Sequence, residues 1–248
     1  MKYKRDDFGN RMKAYEKLSE SVLIPNLPIV IRLDGKGFSK YTKKMKRPYD
    51  EVLSNLMSDT CVHLMGKYSH IVCAYTQSDE ITLIMKNEYD KPVEFNGRLQ
   101  KLCSILAGET SSFFAVNASK LGLNETNQYP VFDCRIFNVP SWIEASNVIL
   151  WREQDASKNS IQMLGQHNFS HKQLHGLKGT QIQEKLLLEK DINWNDYPTF
   201  FKRGTYIVKE LDETYNYGRK RVVKKYFKQP LSQYSLDERL QMLFGNIE

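Results

Sequence analysis

The sequence has little of what marks exported, membrane-spanning or metal-stapled proteins. It holds four cysteines in 248 residues, Cys61, Cys73, Cys103 and Cys134, separated by 12, 30 and 31 positions. None forms a Cys-x-x-Cys pair, which argues against a zinc ribbon, and a chain this long with so few cysteines does not carry a disulfide framework. They read as reduced thiols, mostly in the core of a cytoplasmic protein. No apolar run approaches the roughly 18 residues of a membrane span. The N-terminal stretch "MKYKRDDFGNRMKAYEK" is charged throughout and lacks the apolar centre of a signal peptide. The expectation is a soluble protein with no membrane association and no visible export signal. There is also no internal repeat, no low-complexity linker and no clear domain boundary.

What is present suits a sizeable core. Hydrophobic residues make up 41% of the chain and aromatics 12%, which argues against disorder. The formal net charge is +7, a balance that favours a polyanionic partner such as nucleic acid or an anionic membrane face.

Periodicity divides the chain into elements. Residues 6–20 read as a short polar helix and "LPIVIRLD" (27–34) as a strand that tolerates Pro28 at its start. Apolar residues at helical spacing from Leu53 to Met65 predict a helix over about 48–67, with Asp50 and Glu51 at its positive N-terminal end. "HIVCAY" and "EITLIM" predict a β-hairpin with Ser78 and Asp79 in or beside its turn. A second helix is predicted from about Phe95 to Ala118. "VFDCRIFNV" (131–139) reads as a strand with Asp133 and Arg135 on one face and Phe132, Cys134 and Ile136 on the other. The order β-α-ββ-α-β over the first 140 residues predicts an α+β fold: a mostly antiparallel sheet with helices packed on one side, as in polymerase palms and nucleotide cyclases. Residues 1–140 would form this palm-like catalytic domain. Residues 141–248 would form a helical and basic C-terminal part completing the same globule, with helices near 141–166 and 181–190 and a strand in "KRGTYIVKE".

The candidate chemistry sits at strand tips. Asp34 ends the first strand and is followed at once by Gly35 and Gly37. Asp79 lies in the hairpin, 45 residues on. If the hairpin lies beside the first strand, the two carboxylates meet and can hold a pair of divalent cations about 3.5–4 Å apart, as two-metal phosphoryl chemistry requires. Magnesium suits carboxylates, waters and substrate phosphates. The glycines would let backbone N–H groups approach a triphosphate, with Arg32, Lys36, Arg47, Lys101 and Arg135 as counter-charges. The same stretches, "DGKG" and "QSDE", are also good turn sequences with no chemistry attached. His167, His171 and His175 lie four apart, so a helix would place them on one face; zinc, polar surface and RNA phosphate contact all remain open. "YGRKRVVKKYFKQ" places six Lys/Arg among residues 219–228 beside Tyr217, Tyr226 and Phe227. It reads equally as an RNA surface or as a solvated basic edge strand.

In order along the chain, "IRLDGKGFSKY", "RPYD", "TQSDE", "FDCRIFNVPS", "WREQDASKNS", "INWND" and "KRGT" resemble the tRNA-His guanylyltransferase family over roughly residues 6–210. The resemblance implies a palm-like enzyme that adds nucleotides to the 5′ end of tRNA in the 3′-to-5′ direction. ATP would activate a 5′-monophosphate, and the 3′-hydroxyl of GTP would then attack it. It implies two Mg2+ ions on Asp34 and Asp79 with the Gly35 carbonyl, and Glu80 supporting the catalytic pair. It also implies an NTP held by the backbone of Lys36, Gly37 and Phe38 with Ser39, Arg47, Asp50 and Ser78. Arg32, Lys101 and Arg135 would hold the second triphosphate or the tRNA 5′ end. Arg152, Asn159, His171, His175, Lys178, Arg203, Arg219 and Arg221 would contact tRNA, within a homotetramer.

Residues 157–163 read "SKNSIQM" where the eukaryotic enzymes carry "HINNLYN", and the following "GQHNFSHKQLHG" is similar to the Thg-like bacterial and archaeal branch. That favours template-dependent 5′-end repair over dedicated addition of one guanosine to tRNA-His. Two readings of other kinds compete: a nucleotide cyclase or other palm enzyme using one NTP, and an RNA-binding module without catalysis.

Overall fold

The computed structural model describes residues 5–123, 128–211 and 220–245. Six strands form one sheet in the order β4-β1-β3-β2-β5-β6: β1 (Ile29–Gly35), β2 (Ile71–Gln77), β3 (Glu80–Met85), β4 (Phe132–Asn138), β5 (Thr205–Leu211) and β6 (Lys220–Lys225). Every neighbouring pair is antiparallel. The helices are α1 (Arg5–Lys17), α2 (Phe38–Tyr41), α3 (Glu51–Lys67), α4 (Leu99–Lys120), α5 (Trp142–Asn168), α6 (His171–Leu174), α7 (Gly179–Lys190), α8 (Thr199–Arg203) and α9 (Leu236–Phe244). Among the described residues no helix is long and apolar enough to cross a membrane.

The fold is α+β, but both faces of the sheet are covered rather than one. Side chains alternate along β1. Ile29, Ile31 and Leu33 enter a core with Leu56 and Leu64 of α3 and Leu106 and Phe114 of α4. Val30 points the other way, into a core with Ala145 and Ile149 of α5 and Leu243 of α9. The alternation read along β4 holds, with Phe132 and Ile136 buried and Asp133 and Arg135 exposed; the second helical layer comes from the C-terminal half, whose packing partner no local pattern names. A third cluster joins Ile161 and Leu164 of α5 to Ile182 and Leu186 of α7 and Phe201 of α8.

Local chemistry explains where the elements stop. Asp50 caps α3, its carboxylate accepting from Val52 N at 2.9 Å and Leu53 N at 3.1 Å. The helix expected from Phe95 begins instead at Leu99, because Phe95 (φ 59°), Asn96 (φ 54°) and Gly97 (φ 67°) form a left-handed run that no α-helix accepts. The histidines at 167, 171 and 175 do not share a helix: α5 ends at Asn168, Phe169 and Ser170 are extended, and α6 lasts four residues. The His171 and His175 rings still lie 6.0 Å apart. Lys220–Lys225 is an edge strand on β5, so its lysines stand where they discourage pairing with a further strand. Tyr217 and Arg219 of that basic stretch lie outside the described residues.

Gly204 separates α8 from β5 and shows how tightly this junction is built. Its backbone (φ 77°, ψ −171°) is open almost only to glycine. A Cβ there would lie 2.5 Å from the Tyr75 hydroxyl and 2.7 Å from the Thr76 carbonyl. Gly204→Ala is therefore expected to destabilise the protein by about 2 kcal/mol or more. Urea denaturation checks this; an unchanged midpoint would contradict the packing.

Candidate active site at the tip of the central hairpin

The hairpin β2–β3 closes through two residues, Ser78 and Asp79, since Gln77 pairs with Glu80. Ser78 adopts φ 55°, an uncommon conformation for a serine. Asp34 stands opposite Glu80 on one side and Asp133 on the other. The Gly35 amide donates to the Asp79 carbonyl at 3.0 Å, which pins the hairpin turn to the end of β1. Four carboxylates thus converge at one end of the sheet: Asp34, Asp79, Glu80 and Asp133.

The electrostatics separate them. Burial raises the Asp79 pKa above the ordinary aspartate value and outweighs its hydrogen bonds from its own backbone and the Ser78 side chain; Asp34 and Glu80 push it further up. Asp34 is raised first by burial, then by Glu80 and Asp133, with Arg135 and Arg32 pulling the other way. Glu80 is different. Its carboxylate lies between Arg32, whose Nη2 donates at 2.9 Å, and Arg152, whose Nη2 donates at 2.7 Å with Nε 2.6 Å from the other oxygen. All three side chains are largely buried. Glu80 is paired with two arginines, whereas burial and neighbouring carboxylates raise the pKa values of Asp34 and Asp79.

This donor set fits magnesium. Among the described residues no three His, Cys, Asp or Glu side chains gather into a metal cage. Magnesium needs only one or two carboxylates, because waters and substrate phosphates complete its shell. Two partly desolvated carboxylates with raised pKa values are what a divalent cation would relieve.

Two cavities meet at this point. One, of about 270 Å3, is lined by Phe38, Ser39, Lys46, Arg47, Asp50, Met57, Ser78, Asp79, Phe200 and Phe201, among others. The other, of about 380 Å3, is lined by Asp34, Ser78, Asp79, Glu80, Arg152, Asn159, Gln162, Met163 and Gln166, among others. Ser78 and Asp79 belong to both, and Met163 lies on both walls.

The glycines have distinct causes. Gly37 needs its left-handed φ of 68° at the start of α2. Gly35 needs no side chain because the Phe38 ring would lie 2.4 Å from its Cβ. The amides of Gly35 and Lys36 are committed within the chain, to Asp79 O and, at 2.8 Å, to Val131 O. The amides left without an intrahelical partner are those of the first turn of α2, at Phe38 and Ser39.

Other expected residues divide by place. Asp50 spends its carboxylate on the α3 cap and on the Lys46 amide, so it shapes the 46–50 loop. Arg47 borders the first cavity and donates to Thr42 O at 3.2 Å. Arg135 is exposed beside Asp133, 3.6 Å from its carboxylate. Lys101 is not brought to the aspartates: it rides on α4, in the layer across the sheet, over the Phe95 ring at 5.0 Å. Arg152 is buried against Glu80 and Asp155, and Asn159 donates to Asp155. Arg203 donates to the carbonyls of Phe227 and Lys228 and so fastens the chain after β6. His171, His175 and Lys178 lie together between α5 and α7, and Arg221 is on the edge strand β6. The sequence reading missed Asp133 as a neighbour of Asp34, and missed Gln162, Met163 and Gln166. With Asn159, the amides recur at i, i+3 and i+7 opposite the buried face of α5, a polar row that was the available signal.

Antiparallel sheet, hairpin aspartates and paired cavities define a scaffold for phosphoryl transfer from nucleotides. Residues 9–140 match the family model described as Thg1: tRNAHis guanylyltransferase. The tRNA(His) guanylyltransferase of Schizosaccharomyces pombe is 32% identical over 212 residues, covering 80% of this chain and 79% of that protein. A bacterial tRNA(His) guanylyltransferase (Thg1)-like protein solved in complex with ATP superposes with a TM-score of 0.85 at 36% identity, covering 96% of this chain and all of that one. A second such protein, in complex with GTP, gives 0.76 at 33%, covering 92% and 94%. The chain belongs to the tRNAHis guanylyltransferase family and is a nucleotidyltransferase.

Proposed function

We propose that the protein is a template-dependent 3′–5′ nucleotidyltransferase that restores missing nucleotides at the 5′ end of tRNA. The observation that carries this reading is the position of Asp79 and Ser78 on the wall shared by two cavities, with Asp34 beside them. Asp34 and Asp79, with the Gly35 carbonyl, would hold two Mg2+ ions, which when bound neutralise phosphate charge and activate the attacking oxygen.

The chain's own residues do the rest by positioning. The apolar floor of the first cavity, Phe38, Met57, Phe200 and Phe201, suits a nucleoside, with Lys46 and Arg47 at hand for its phosphates. Arg135, exposed next to Asp34, suits the second triphosphate or the RNA end. Glu80 keeps Arg32 and Arg152 fixed behind the aspartates. Repair is favoured over dedicated addition of guanosine by "SKNSIQM" at 157–163, where the eukaryotic enzymes carry "HINNLYN".

The test uses three 5′-labelled tRNAs with magnesium, ATP and all four NTPs: tRNA-His without its extra guanosine, another tRNA missing its first nucleotide, and that tRNA intact. Extension of the truncated tRNA that stops when the acceptor stem is full is expected. Extension of tRNA-His alone would establish dedicated guanylylation instead, and extension of none would sink both readings.

A further inference from the structure

Trp151 lies on α5 beside the site, and half of its surface is open to solvent. Exposed tryptophan is costly, and here the ring is held rather than loose. The Arg152 guanidinium lies 4.6 Å from its centroid and that of Arg32 lies 5.2 Å away. Both arginines are clamped by Glu80, so the indole is fixed by a buried ionic network. Arg135 stands directly opposite Arg32 on the ladder between β1 and β4, which places a third, exposed guanidinium next to the same patch. Asp34 is two residues further along the same face of β1. Trp142 and Trp194 have other duties, packing on Phe244 and donating to Ser160.

The geometry points to Trp151 as a stacking platform for the unpaired template base left on the 3′ strand opposite a missing 5′ nucleotide of an RNA stem, with Arg135 taking the adjoining phosphate. A pre-ordered aromatic face flanked by cations is the chemistry that holds unpaired bases, and a base buried in a closed stem cannot reach it. The inference rests on the RNA-end reading above, and it adds a residue that distinguishes an open end from a filled one.

The test reads binding without NTP, so it does not depend on whether the nucleotide chemistry is assigned correctly. The probes are an acceptor-stem hairpin missing its first 5′ nucleotide and the same hairpin filled. The wild-type protein should prefer the open hairpin, and its tryptophan fluorescence should be quenched on binding. Trp151→Leu should bind the open hairpin about tenfold more weakly, the scale of one lost base–aromatic stack, and bind the filled one unchanged. Trp151→Phe keeps a ring, so it should retain most of the preference and lose the quench. The inference is overturned if wild-type protein does not distinguish the hairpins, if Trp151→Leu retains the preference, or if the quench persists in Trp151→Phe. In the last case the signal comes from Trp142 or Trp194. Retained Mg-NTP binding in an Asp79 variant, with the Trp151-dependent hairpin preference intact, would instead place the failure in the metal-site reading and leave this inference standing.

Discussion

Replacing Asp79 with asparagine is expected to make the metal-free protein harder to melt and almost inactive. The two effects share one cause. Burial raises the Asp79 pKa, and Asp34 and Glu80 add to the rise. A carboxyl with a folded pKa above its unfolded value costs nothing below the unfolded pKa, where both states are protonated. Its cost grows as pH rises through the interval between the two values and is complete above the folded pKa. At neutral pH the ionised Asp79 therefore works against the fold, and asparagine removes that burden without changing the side chain's shape. A rise in the Tm of the metal-free protein at neutral pH is expected, shrinking as the pH falls toward the ordinary aspartate range. Activity should fall about 1000-fold, because losing a metal ligand forfeits several kcal/mol of charge stabilisation and each 1.36 kcal/mol is a factor of ten. Added magnesium should stabilise the wild type at neutral pH and leave the variant unchanged. A lower Tm with retained turnover would mean that Asp79 is a hydrogen-bonded turn residue and nothing more.

Glu80→Ala should behave in the opposite way and lose stability severely. Arg32 and Arg152 both direct guanidinium groups at this one carboxylate, and their side chains are only 18% and 10% exposed. Removing Glu80 takes the carboxylate from Arg32 and leaves Arg152 with Asp155 alone, two like charges largely away from water. Breaking a buried ion pair from one side costs about 3–5 kcal/mol, far more than the pair contributes relative to an apolar substitute. At roughly 2–4 °C per kcal/mol, Tm should drop by about 6–12 °C or more. The loss should be nearly independent of salt, since buried pairs are weakly screened. Glu80→Gln should lie between the two, keeping an acceptor and losing the charge. If Glu80→Ala melts like the wild type, the arginines are solvated in solution and do not form the fixed backing of the site.

How much of this was legible beforehand depended on how local each cause is. Asp34 ending β1, Asp79 in a hairpin turn and Asp50 at a helix start were readable because strand alternation, turn chemistry and capping act within a few residues. The left-handed run at Phe95–Gly97 was only partly readable: Asn96-Gly97 is a turn dipeptide, but Phe95 carries a side chain that normally avoids that conformation. The amides of Gly35 and Lys36 looked available for phosphate because nothing nearby in sequence consumes them; Asp79 and Val131 do so from across the sheet. The position of Lys101, on the helix over Phe95, was not readable for the same reason, as spacing along a helix does not say which face of a sheet that helix covers. Glu80 with its two arginines joins residues 32, 80 and 152, and only the fold could bring them together.

The central claim is that Asp34 and Asp79 together hold the divalent ions on which transfer depends. Its most direct test is to count Mn2+ ions bound to the protein by electron paramagnetic resonance, with a non-hydrolysable nucleoside triphosphate present. Two ions are predicted for the wild type, with Asp34→Asn and Asp79→Asn each losing tight binding. Unchanged ion binding in either variant would contradict the account and place the metal elsewhere.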